Sequence, residues 1–290
     1  MDGILLVDKK EGDSSFDTVR RVRKISGYRK VGHAGTLDPF ATGLLIILIN
    51  QGTKLFNFLM SKEKLYRATI YLGVETDTFD CTGKITGVKD LPDLDEEYIN
   101  RRLKDFVGLI EQTPPVFSAI KHGGVRSYKL ARRGVDVKLK KRSVYVHDIK
   151  LIFWDPPELV IDVKCSAGTY IRSLAVDIAR SLETCGHLKE LRRISCGSFH
   201  VNDAIPVTSE VTKESLEKRL IPLADALPDL ETISVDDRMA SRLRNGFQPR
   251  IKEKGLAGAY IKFVKEDSQE LVAIAQVNEN GGIRLERVFN

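Results

Sequence analysis

This chain of 290 residues has little with which to build a metal centre or a disulfide framework. Its four cysteines, Cys81, Cys165, Cys185 and Cys196, form no CxxC pair, and its five histidines show neither HExxH nor any other ligand spacing. No metal site and no disulfide scaffold are therefore expected, and the cysteine usage fits a reducing cytoplasm. Neither GxxxxGK[ST] nor GxGxxG occurs, so a nucleotide triphosphatase or dinucleotide site fits poorly. No apolar run approaches membrane-spanning length. The opening ILLV run is too short, and lacks the basic flank, for a secretory leader. Internal repeats and low-complexity segments are also missing.

What is present is an uneven distribution of positive charge. The formal net charge is +6 and the isoelectric point about 9.0, compatible with a polyanionic partner without requiring one. Residues 20–30 carry Arg20, Arg21, Arg23, Lys24, Arg29 and Lys30 with no acid, and residues 121–142 carry nine Lys or Arg against the single Asp136. One such run is ordinarily a solvated face. Two runs, each beside aromatic and glycine-rich sequence, favour a nucleic acid.

Strands and helices are mixed along the chain. ILLVDK (4–9), LLIILI (44–49), the alternating stretch Tyr66 to Leu72 and LVIDVKC (159–165) read as strands. Ser14-x-x-Asp17 starts a helix with Phe16, Val19, Val22 and Ile25 at helical spacing. DEEYINRRLKDFVG predicts a helix ending at Gly108, and the segment after SAGT predicts another, with Ile171, Leu174, Ala175, Ile178 and Leu182 along its apolar stripe. Without strict βαβ alternation, the fold class is α+β, with a mixed, mostly antiparallel central sheet and flanking helices. Near residue 227 the texture changes to short strand-like runs, GAYIKFV, LVAIAQV and IRLERVF. The expected division is a domain over 1–227 and a small β-rich one over 228–290.

The block GHAGTLDPFATG (32–43), which reads as a turn before the LLIILI strand, is the most unusual stretch. It holds one acid, Asp38, immediately before a proline, which forces an extended step. Its glycines permit positive φ and close approach of a ligand or another backbone. By itself Asp38 reads equally well as a self-capping Asp-Pro turn. Alone, Tyr66 is a core tyrosine, Arg172 a surface arginine off the apolar stripe, Leu191 plain core, and His33 a local hydrogen-bonder.

Together these stretches carry a resemblance. GILLVDKKEGDSSFDTV, KVGHAGTLDPFATG, PPVFSAIKHGGVRSYKLARRG and SAGTYIRSLAVDIA, in this order and spacing, resemble the bacterial TruB-type tRNA pseudouridine-55 synthases from Gly3 to about Leu227. The C-terminal segment is similar to that family's PUA-like RNA-binding domain. One departure stands out: Lys9-Lys10 occupies the place of the family's Lys-Pro.

The resemblance implies the pseudouridine synthase fold and isomerisation of a T-loop uridine in tRNA, without a cofactor. Asp38 takes the place of the catalytic aspartate, Arg172 of the arginine that pairs with it, and Tyr66 of the active-site tyrosine that stacks on the base and assists proton transfer at C5. Tyr170 and Leu191 match residues that contact the uracil. His33 matches a histidine that fills the space of the flipped base, and Lys9 falls among the substrate contacts. The basic insertion at about 115–142, with Arg132 and Arg133, would grip T-arm phosphates and swing about Gly123-Gly124. Whether Asp38 attacks C1′, attacks C6 or abstracts a ribose proton stays open. The expected protein is a cytoplasmic monomer that acts on the tRNA T-arm without an obligatory protein partner. Two other readings remain: an RNA chaperone without chemistry, and a relative working within a guided ribonucleoprotein. Pseudouridine formation in a T-arm hairpin discriminates against the chaperone, and activity on naked tRNA without partners against the guided relative.

Overall fold

Six successive apolar residues, Leu44 to Ile49, are at most 1% exposed. Leu44, Ile46 and Leu48 enter one core while Leu45, Ile47 and Ile49 enter another. A strand buried on both faces must lie inside a layered structure. The computed structural model describes residues 1–115, 121–122, 125–126, 139–208, 210–251 and 256–290.

The strands of the main sheet are Gly3–Lys9 (β1), Val31–Ala34 (β2), Thr42–Ile49 (β3) and Lys64–Leu72 (β4). A side hairpin follows, Val74–Thr76 (β5) with Ile85–Val88 (β6), then Gly108–Gln112 (β7) and the two-residue pair Lys121–His122 (β8) and Val125–Arg126 (β9). Arg142–Asp155 (β10), Glu158–Cys165 (β11), Gly186–Cys196 (β12), Phe199–His200 (β13) and Ile205–Pro206 (β14) complete the set. The sheet order is β14-β1-β3-β12-β4-β11-β10-β7. Only β1–β14 and β3–β12 pair in parallel, so the sheet is mixed and mostly antiparallel, and the class is α+β.

Local sequence explains the flanking helices. Ser14 caps the helix Ser15–Ser26 by accepting from Asp17 N at 3.1 Å, while Asp17 Oδ2 accepts from Ser14 N at 3.0 Å. Gly27, with φ of 72°, ends it. The helix Ile171–Ser181 sends its stripe into the core shared with β4, β11 and β12.

Three expectations need adjustment. The helix predicted to reach Gly108 spans Glu96–Lys104 only; Asp105, Phe106 and Val107 donate to carbonyls three residues back, tightening the chain before β7. GHAGTLDPFATG is not all turn: residues 32–34 belong to β2 and Thr42 and Gly43 to β3. The C-terminal runs are strands, Tyr260–Lys265 (β16), Leu271–Val277 (β17) and Ile283–Val288 (β18), but a further strand, Glu231–Val235 (β15), and the helix Asp237–Arg244 accompany them. This second sheet, in the order β15-β16-β17-β18, shares a core with the first: Val264, Leu271, Ile274 and Phe289 cluster with Leu6, Leu48 and Leu227.

Candidate active site

A cleft of about 220 Å3 opens where the 35–41 turn, β4, β12 and the N-terminus of the helix Ile171–Ser181 converge. Asp38, Tyr66, Tyr170, Arg172 and Leu191 all line it. Five residues spread over more than half the chain thus meet in one place.

The turn is held rigidly behind Asp38. Leu37 N donates to Ser15 Oγ at 2.8 Å, and Ser15 Oγ donates to Leu37 O at 3.1 Å. Gly12 N donates to Pro39 O at 2.9 Å. Lys9 is 1% exposed, and its Nζ donates to the carbonyls of Lys10, Asp13 and Pro39. An ammonium so enclosed braces the turn from behind and has no donor left for RNA, which corrects its assignment as a substrate contact. Burial lowers its pKa to about 8.

Arg172 is 4% exposed, not a surface arginine. Its Nε lies 3.0 Å from Asp38 Oδ2, and its Nη1 lies 3.2 Å from Asp80 Oδ2 and 3.1 Å from Thr78 O. Asp80 is 4% exposed. Its Oδ1 accepts from Thr78 Oγ1 at 2.7 Å and Thr82 N at 3.0 Å. One guanidinium therefore bridges two carboxylates, and the second of them, Asp80, is fixed by its own turn through its other oxygen. Asp80 was not singled out in the sequence, because its partner lies 92 residues away and TDTFDCT reads as an ordinary hydroxyl-rich turn.

Asp38 keeps its open side to the cleft, its side chain 37% exposed. Its pKa is raised above the usual carboxylate value. Desolvation in the cleft wall is the largest cause, Arg172 opposes it, and the negative Asp80 adds to it. A counter-charge alone would have lowered the value; burial outweighs it.

Tyr66 is 9% exposed and stands opposite Arg193 in the β4–β12 ladder. Burial raises its phenol pKa, and the Arg193 guanidinium pulls it back. Gln112, 1% exposed, holds the turn before the helix: its Oε1 accepts from Tyr170 N at 3.0 Å. His33 lies on β2 opposite Ile47, upstream of the cleft, and burial lowers its pKa. Among the described residues its Nδ1 has no hydrogen-bond partner. Arg132 and Arg133 lie outside the described residues.

Comparisons with known proteins agree with this geometry. Residues 23–171 match the family model described as TruB family pseudouridylate synthase, N-terminal domain. Over 100% of this chain and 99% of its own, the tRNA pseudouridine synthase B of Syntrophus aciditrophicus is 39% identical. The protein of that name from Clostridium perfringens strain 13 is 36% identical over 100% of this chain and 99% of its own. In fold, the chain resembles one in a crystal structure of a Cbf5-Nop10-Gar1 complex, with a TM-score of 0.77 at 24% identity, covering 99% of this chain and 85% of the other. With near-complete coverage at such identity, and a cleft built from the stretches that carried the resemblance, the chain belongs to the TruB family of pseudouridylate synthases.

Proposed function

We propose that this protein isomerises uridine 55 in the T-loop of tRNA to pseudouridine, with Asp38 as the acting carboxylate. The supporting observation is a single carboxylate, braced from behind and salt-linked to Arg172 at 3.0 Å, facing a cleft lined by Tyr66, Tyr170 and Leu191. The relatives' name, tRNA pseudouridine synthase B, agrees with this reading.

The reaction breaks the uridine N1–C1′ bond, turns the base and joins C5 to C1′. The proton on C5 leaves and N1 gains one, so atoms and electrons balance without a redox partner. An ionised Asp38 supplies the negative group that acts while the base is detached. Arg172 favours that ionised form and fixes its direction. The flat wall formed by Tyr66 and Leu191 suits a pyrimidine ring, with Tyr170 at its edge. The target base must leave its stack, at a cost of about a few kcal/mol, and His33 would fill the space it leaves.

The basic insertion, with Arg132 and Arg133, would hold T-arm phosphates, each contact adding salt-dependent affinity. The second sheet, within 228–290, would act as a PUA-like RNA-binding domain beside a catalytic domain over 1–227. The protein would work in the cytoplasm as a monomer on naked tRNA. Incubation with an unmodified tRNA transcript, then carbodiimide mapping or mass spectrometry, tests the reading. Pseudouridine at position 55 without added protein or guide RNA is the expected result; binding without conversion would leave a chaperone instead.

A further inference from the structure

Two further cations, Arg193 and Lys64, line the cleft, and neither has a carboxylate partner among the described residues. Arg193 is 1% exposed and Lys64 is 6% exposed. Arg193 Nε donates to Leu44 O at 2.6 Å and its Nη2 to Gly35 O at 3.1 Å. Lys64 Nζ donates to the carbonyls of Met60 and Lys62. Carbonyls orient a buried cation without neutralising it, so its charge remains available to whatever faces it.

The fold makes room for Arg193 at two glycines of the GHAGTLDPFATG block. A Cβ on Gly35, φ 89°, would lie 3.3 Å from Arg193 Nη1; a Cβ on Gly43, φ 97°, would lie 2.3 Å from Arg193 O. The Arg193 backbone thus requires a glycine at Gly43, and its guanidinium packs against Gly35; this arginine lies 150 residues beyond Gly43 in the chain and lines the same cleft as Asp38. What it faces there is its cross-strand partner, Tyr66.

We propose that Arg193 is a positioning residue for Tyr66, holding the phenol oxygen against the cleft and stabilising its phenolate when it takes the C5 proton. This rests on the isomerase reading above. Once C5 is bonded to C1′, the ring still carries hydrogen on C5, and N1 is unprotonated. The Tyr66 phenolate, having lost its proton to water, takes the C5 proton. The electrons of that C–H bond form C5=C6, the C6=N1 pair moves to N1, and N1 takes a proton from water. Tyr66 is left as the phenol. Burial alone would hold the phenol neutral. The charged or titratable groups around it are Arg193 and Cys196 from β12, Cys165 from β11, Lys64 on its own strand, and Asp38 and Arg172 across the cleft. Of the groups closest to the phenol, the guanidinium is the one that favours the phenolate.

Single-turnover rates on a T-arm hairpin, measured against pH for Arg193→Gln and Arg193→Lys in the wild-type and Tyr66→Phe backgrounds, test this. In the wild-type background, Arg193→Gln should slow the step about 100-fold while hairpin Kd changes less than about threefold, within the usual additivity error. Its alkaline rise should move to higher pH. Arg193→Lys keeps the charge and should recover part of the rate. With Tyr66→Phe, either substitution should add less than about threefold, since the group it acts through is gone. Equal losses in both backgrounds, or an unshifted pH profile, would make Arg193 merely structural and overturn the proposal. If Arg193→Gln fails to fold, Arg193→Lys decides by the same two readouts. A wild-type protein that makes no pseudouridine would instead defeat the isomerase reading.

Discussion

Two sets of cations in the cleft handle charge in opposite ways. Arg172 is bracketed by Asp38 and Asp80, and a salt bridge fixes each contact. Arg193 and Lys64 are held by backbone carbonyls, with no acid among the described residues to neutralise them. Pairing fixes a charge in place and damps its field; carbonyl support fixes a charge and leaves its field intact. The first arrangement suits a carboxylate that must stay ionised at one position. The second suits a site where negative charge appears only during reaction.

The sharpest way to break this contrast is at Asp38. Asp38→Asn should lower the isomerisation rate by at least about 10^4-fold, with hairpin binding preserved. Its stability should not fall. Because burial raises the Asp38 pKa in the fold, the ionised form costs stability at every pH above that raised value, and the cost is absent below the unfolded value. The amide removes the cost, so Tm at neutral pH should be unchanged or higher. A large drop in Tm would mean that Asp38 is a structural cap.

Next in size is Arg172→Met, expected to cost about 10^2–10^3-fold, the scale of removing one partner from a buried pair. Asp80→Asn should cost less, about tenfold, because Arg172 keeps Asp38 and Thr78 O as partners. Thermal melts alongside the rates separate lost folding from lost chemistry. The smallest effect belongs to the basic insertion. Arg132→Gln with Arg133→Gln should raise Kd and reduce the salt slope by about one per lost phosphate contact, with the single-turnover rate at saturating RNA nearly unchanged.

Residue patterns carried the frame of the fold but not the far partners in the cleft. LLIILI, the 66–72 alternation and the Ser14 capping box are local signals, and each element formed where its signal lies. Arg172 looked exposed because helical periodicity reports apolar burial and is blind to an ion pair closing over a stripe edge. Arg193 and Asp80 left no local trace: their partners are 149 and 92 residues away. The glycines of the 32–43 block were legible as places of close approach. Which chain would approach, the backbone and guanidinium of Arg193, was not. The helix and first strand of the C-terminal sheet were hidden by their exposed, polar composition.

Arg172 and Asp80 act on the ionisation of Asp38 from opposite directions, and the most direct test is the acid limb of the single-turnover pH–rate profile in wild type, Arg172→Met and Asp80→Asn. Arg172 pulls the Asp38 pKa down and Asp80 pushes it up. The acid limb should therefore move to higher pH in Arg172→Met and to lower pH in Asp80→Asn. Limbs that coincide in all three proteins, or that shift the same way in both variants, would contradict it.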